Sequence, residues 1–102
     1  MRILVFFDLP VKRKKERKVY THFRKFLEKD GYDMIQYSVY SRICNGKDNV
    51  DKHIGRLKYE IPKKGSVRSM VITDKQYGNM IIHVGKKTAI ERKITSDQLV
   101  IF

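Results

Sequence analysis

One carboxylate in this chain stands where phosphate chemistry could use it. Asp8 closes an unbroken apolar run, Ile3 to Phe7, and is followed by Leu9 and Pro10. Six cations come directly after, Lys12, Arg13, Lys14, Lys15, Arg17 and Lys18, with Glu16 as the one acid among them. A carboxylate can ligate a divalent cation, and clustered cations hold phosphate oxygens. Together they suit binding of a phosphodiester and, with a metal, its hydrolysis. A usual magnesium site takes one or two acids with phosphates and waters, so one carboxylate per chain is thin. A two-fold axis would double it. The plainer reading is that Asp8 caps the loop after its strand. For the cations, the plainer reading is a solvated helix face, but six against one favours phosphate contact. Such contact carries no base information. Arg42, Arg56, Lys58, Lys63, Lys64 and Arg68 extend the candidate surface.

Other chemistries have less behind them. His22, His53 and His83 are scattered and read as ordinary surface or half-buried histidines. Cys44 is the one cysteine, so no internal disulfide can form, and its use suits a reducing cytoplasm. It has no Cys/His framework that would make it a nucleophile. No CxxC or HxxxH spacing exists, which argues against structural zinc. Gly85-Lys86-Lys87 lacks the spacing of a phosphate loop. Tyr20, Phe23 and Phe26 recur at helical spacing and read as core, not as stacking platforms for bases.

The totals agree with a polyanionic partner. The 102 residues carry 23 basic and 11 acidic side chains, a net charge of +12. A field of that sign draws in nucleic acid first and an anionic membrane surface second. No apolar run approaches the about 20 residues needed to span a bilayer. The apolar start is too short for a signal peptide and is stopped by Asp8 and Pro10. The expectation is a cytoplasmic protein with no membrane partner.

These residues need elements to place them. The run of residues 2–8 reads as a central strand buried on both faces. From Lys12 to Asp30, Val19, Phe23, Phe26 and Leu27 mark one face of a helix, and Gly31 is a plausible stop. Asp33 to Cys44 is strand-like but long, and a turn or bulge at Tyr37–Ser38 would split it in two. Ser38 is then a conformational residue or a weak donor to the site. Asn45-Gly46 ends it. A second helix, Asp48 to Glu60, has its apolar face at Val50, Ile54, Leu57 and Ile61. Ser66 to Thr73 reads as a strand, 74–79 as a turn, and Met80 to Val84 as a further strand ended by Gly85. Lys86 to Gln98 is polar, and Leu99 to Phe102 is an apolar tail that would normally be covered.

The order predicts a single α+β domain over residues 1–102, a ferredoxin-like βαββαβ sandwich with an extra C-terminal strand. Residues 1–85 form its core, and 86–102 an extension packing on a partner subunit. That plan covers one sheet face with helices and leaves the other bare, so a homodimer is expected.

The motifs resemble a known family. Ile3-Leu-Val-Phe-Phe-Asp-Leu-Pro10 is similar to the opening strand of the Cas-two family, the small CRISPR-associated proteins that partner the spacer integrase. Gln36-Tyr37-Ser38-Val39-Tyr40 resembles that family's Gln-x-Ser-Val-aromatic segment. Gly65-Ser-Val-Arg68 and the Tyr77 turn are consistent with its later part. The resemblance implies a homodimer that acts in spacer acquisition, bridges integrase dimers and holds double-stranded DNA along its basic surface. It also implies divalent-metal endonuclease activity on DNA or RNA in some members. The metal, Mg2+ with one ion per dimer, would sit between two copies of Asp8, which becomes the catalytic and metal-ligating residue. Nucleic acid would lie on Lys12, Arg13, Lys14, Lys15, Arg17 and Lys18, with help from Arg42. The alternative is a toxin-like endoribonuclease of the virulence-associated D type, which shares the fold plan. A ribosomal or RNA-binding module of the same plan is third, and it would need exposed aromatics on the sheet face.

Overall fold

The computed structural model describes residues 1–88. Seven elements follow in order: β1 (Arg2–Asp8), α1 (Lys14–Lys29), β2 (Asp33–Gln36), β3 (Val39–Ile43), α2 (Lys47–Glu60), β4 (Ser66–Ile72) and α3 (Asp74–Gly78). The chain forms two compact units. Met1–Ile72 holds the sheet with α1 and α2, and the second unit starts at Thr73 and contains α3.

The first unit is an antiparallel sheet in the order β2-β3-β1-β4. This is the expected βαββαβ plan. Strand β1 is paired on both edges, with Val5 opposite Tyr40 of β3 and Ser69 of β4. Its alternate residues Ile3, Val5 and Phe7 join Tyr40, Phe23, Leu27, Val50 and Leu57 in one core. The Phe7 ring meets Phe23 edge-on at 5.1 Å and stacks on Tyr40 at 5.7 Å. Each such side chain contributes about 1.5–3 kcal/mol by leaving water, so this strand anchors the fold.

Local chemistry sets the boundaries. Helix α1 starts where the Arg13 amide donates to Glu16 Oε1 at 2.8 Å. It ends in a Schellman motif. The Tyr32 amide donates to Leu27 O, the Gly31 amide donates to Glu28 O, and Gly31 has a φ of 94°. Between β2 and β3 the register shifts after Met34, and Ser38 adopts a φ of 62°. The expected split at Tyr37–Ser38 is therefore present, and it lets the Ser38 carbonyl accept from the Phe7 amide at 3.1 Å.

Three expectations are corrected. Val19 and Ile61, placed in the core by their spacing, are 47% and 52% exposed. The helical stripes of α1 and α2 each run one position past the point where the other helix can cover them. His53, expected at or near the surface, is 2% exposed. Met80 to Val84 is not a strand: Ile81 is 73% and Val84 94% exposed. A strand-like composition needs a sheet edge to pair with, and among the described residues its one backbone bond is the turn contact from Met80 N–H to Tyr77 O. Met80 to Val84 thus adds no strand to the βαββαβ plan, and the Leu99 to Phe102 tail falls in 89–102, outside the described residues.

His53 is buried for a reason that lies across the chain. Its Nδ1 sits 2.8 Å from Asp30 Oδ2, and Arg56 donates to Asp30 Oδ1 at 2.8 Å. Arg42 Nε donates to the Asp30 carbonyl at 2.7 Å and its Nη1 to Ile43 O at 2.8 Å. The cluster ties the end of α1 to α2 and β3. Burial pushes the Asp30 carboxyl up, but the hydrogen bonds from His53 and Arg56, and then their charges, outweigh this and hold it below the usual carboxylate range.

Two predictions follow from this packing. A depressed carboxyl adds stability that is complete above its unfolded value, near pH 3.8, and is lost as pH falls through the folded value. Asp30→Asn should flatten that acid limb and, by leaving His53 and Arg56 poorly matched, cost about 3 kcal/mol in neutral-pH urea titrations. An unchanged acid limb would contradict it. The second concerns Gly65, whose φ is 93° and where an added Cβ would meet the Asp8 carbonyl at 2.6 Å. Gly46 has a φ of 87° with nothing within 4 Å. Both alanine variants bear the left-handed penalty of roughly 1–2 kcal/mol. Thermal unfolding should rank Gly65→Ala clearly below Gly46→Ala, and equal midpoints would refute the contact.

Candidate functional site

Asp8 is the last residue of β1 and is exposed. It lies on the sheet face opposite the helices, since Ile3, Val5 and Phe7 point the other way. Register places Ser66 directly across from it and Arg68 across from Phe6 on the same face. Among the described residues, no hydrogen bond or ion pair engages its carboxylate. The turn before β4 comes close to this strand end: a Cβ added at Gly65 would meet the Asp8 carbonyl at 2.6 Å and Leu9 at 2.9 Å.

No cluster of three or more His, Cys, Asp or Glu that could hold a metal exists among the described residues. One Asp8 alone does not make a magnesium site. Mg2+ keeps several waters and takes one or two carboxylates plus phosphate, so the residues fit it once a second Asp8 and a nucleic-acid phosphate are supplied.

The basic segment is brought together as expected. Lys12, Arg13, Lys14, Lys15, Arg17 and Lys18 are all exposed. Lys12 and Arg13 precede α1, and Lys14 and Lys15 form its first turn. Cations there oppose the helix dipole. Glu16, the one acid of the segment, is used by the Arg13 amide. Arg17 Nη1 donates to the carbonyls of Lys12 (2.8 Å) and Val11 (3.2 Å), which folds the loop back over the first turn. A shallow groove lined by Lys14, Arg17, Lys18 and Lys25 continues the positive surface along α1.

Arg42 stands apart. Its guanidinium is committed to the Asp30 and Ile43 carbonyls and lies 3.5 Å from Asn49 Oδ1. It acts as a structural tie inside the first unit, and Arg56 shares that role through Asp30.

Two features escape a reading by spacing. Tyr37 is 74% exposed and stacks on Tyr20 at 6.2 Å beside the Ser38 turn. A hydrogen bond with Tyr20, then the charge of that ring's hydroxyl, pushes the Tyr37 phenol up. The other is a groove of about 650 Å³ between α1 and the α2–β4 connection, lined by Leu9, Pro10, Val19, Tyr59 and Ile61. Its signal was present in the apolar positions Val19 and Ile61, but periodicity alone assigned them to the core.

Comparison with known proteins places this arrangement. Residues 1–80 match the family model described as CRISPR associated protein Cas2. A CRISPR-associated endoribonuclease Cas2 of Acidovorax ebreus (strain TPSY) is 51% identical over 102 residues, all of both chains. One of Flavobacterium psychrophilum is 45% identical over 100 residues, covering 98% of this chain and 86% of its own. The crystal structure of Streptococcus pyogenes Cas2 at pH 6.5 superposes with a TM-score of 0.61 at 28% identity, covering 83% of this chain and all of that one. No helix among the described residues is long and apolar enough to cross a membrane. On this sequence match, fold and strand order, the chain belongs to the CRISPR-associated Cas2 family.

Proposed function

We propose that this chain is a homodimeric nucleic-acid-binding subunit of CRISPR adaptation. It works beside the integrase subunit and holds double-stranded DNA on the segment Lys12 to Lys18. The observation that carries this is the exposure of all six cations of that segment, with its single acid used in a helix cap. Dimerisation is supported by the sheet face away from the helices, where Ile43 and Met70 are each 49% exposed. Asp8 opens on that same face, so face-to-face pairing of two copies would bring two Asp8 carboxylates toward one axis.

The relatives named as endoribonucleases support a hydrolytic activity on RNA, and the same phosphodiester chemistry would extend to DNA. In it, the two Asp8 carboxylates would hold one Mg2+ per dimer. When bound, the metal supplies charge for the phosphate and a more acidic water. This chain's own share is to hold the backbone. Lysine and arginine ammonium and guanidinium groups fix the phosphates, and the Gly65 turn fixes the height of Asp8.

Duplex binding followed by anisotropy from 50 to 200 mM salt tests the first part. Six phosphate contacts should weaken it about a thousandfold across that range. Replacing Lys12, Arg13 and Lys14 by Glu should remove most binding and flatten the salt slope, and an unchanged slope would sink the assignment. Asp8→Ala tests the second part. It should abolish metal-dependent cleavage and leave duplex affinity within about twofold, since losing an anion near phosphate does not weaken binding. Cleavage at the original rate would remove the metal role.

A further inference from the structure

The groove of about 650 Å³ beside the basic segment shares Lys15 and Lys18 with it, but its apolar lining is left unexplained by phosphate contacts to a duplex. Its volume is that of a small-molecule site, conventionally about 300–1,000 Å³. Its floor is apolar, from Leu9, Pro10, Val19 and Ile61. Tyr59 stands at its side with 91% of its surface exposed. Lysines rise from both walls, Lys15 and Lys18 from α1 and Lys63 and Lys64 from the turn before β4. Among the described residues none of these four lysines is in an ion pair. The two acids of the groove are already engaged, Glu16 by the Arg13 amide and Glu60 by His22 at 3.4 Å.

We infer that this groove binds an unpaired nucleotide, with the base on Tyr59 and the apolar floor and the phosphates on the lysine rim. An apolar floor matches a base face and a lysine rim matches phosphate, and a nucleotide offers both within one unit. A duplex hides its base faces by stacking and cannot use the floor. Continuity favours nucleic acid over an acidic peptide. The apolar groove and the shallow basic groove along α1 share Lys18 and His22, so a strand leaving a duplex on the basic segment runs directly into it. Leu9 and Pro10 line the groove on the helix side of the sheet, whereas Asp8 opens on the other face, so the captured nucleotide is held apart from that carboxylate. Val19, Tyr59 and Ile61 are covered in the bound state, which accounts for apolar side chains left open on a small protein.

The inference rests on the nucleic-acid reading above, and the test separates the two. The affinity of the full-length protein is measured by anisotropy for a blunt duplex and for the same duplex with a five-nucleotide overhang. A 2-aminopurine in the overhang reports stacking by loss of fluorescence. The overhang should tighten binding about tenfold and quench the probe, as one stacked base does. Tyr59→Ala and Ile61→Ser alter exposed positions, and each should erase most of that increment and the quenching. Absence of blunt-duplex binding overturns the function proposed above. Blunt binding with no increment, or an increment that survives both substitutions, overturns the groove assignment alone. An acidic, aromatic peptide that slows hydrogen exchange at 59–64 while the overhang does not would overturn it in favour of a protein partner.

Discussion

Strand β1 is hydrogen-bonded along both edges and packed by helices on one face, so it is the strand least free to shift. A slip of one residue would turn Ile3, Val5 and Phe7 out of the core and exchange them for Arg2, Leu4 and Phe6. That cost fixes where β1 ends. Asp8 emerges at its last position, on the face without helices, because the alternation that buries Phe7 leaves no other choice. The chain after Pro10 must then turn back to reach α1, and it carries the cations across the same end of the sheet. Placement of acid and cations together is thus a consequence of burying one strand.

A chain with this much positive charge has to hold itself together against its own field. The Asp30 cluster shows how it does so. A buried carboxylate takes hydrogen bonds from His53 and Arg56, while Arg42 spans the neighbouring carbonyls. Three basic side chains are gathered around a single helix end, where the carbonyls of the last turn also favour positive charge. Among the described residues, the cations of Lys12 to Lys18 receive no such compensation from carboxylates. One set of cations is spent inside the protein and the other is left facing outward.

Much of this was legible in the order of residue types. Apolar runs, the Gly31 stop and the long β-rich segment interrupted at Tyr37–Ser38 are local signals, and each produced its element close to the expected bounds. The exposed cations and the place of Asp8 followed from those elements. What was not legible depends on distance along the chain. His53 looked incidental because its partner lies 23 residues away, and Arg42 looked available because its acceptors are main-chain carbonyls. Met80 to Val84 shows the converse. Its composition is that of a strand, but pairing is a property of two segments, and composition describes only one. Val19 and Ile61 failed for a related reason, since periodicity names a face without saying how far the opposing element reaches.

The groove is the place where that reach runs out. Helices α1 and α2 run antiparallel, with Asp30 against Arg56 at one level and His22 against Glu60 at another. Beyond Glu60 the second helix is finished: Ile61 is extended, and Pro62 cannot donate the next helical hydrogen bond. The apolar stripe of α1 does not stop there. Phe23 is covered, and Val19, one turn nearer the start of α1, is not. The missing turn of α2 is replaced by the Pro62–Gly65 connection, whose Gly65 lies close against the Asp8 carbonyl and Leu9, and Pro62, Lys63 and Lys64 line the groove that Val19 shares. Filling the gap would require a longer α2, and that would carry Lys63 and Lys64 away from the basic end of the sheet. The uncovered apolar floor and the lysines at its rim therefore have one origin, the short second helix and the tight turn that follows it.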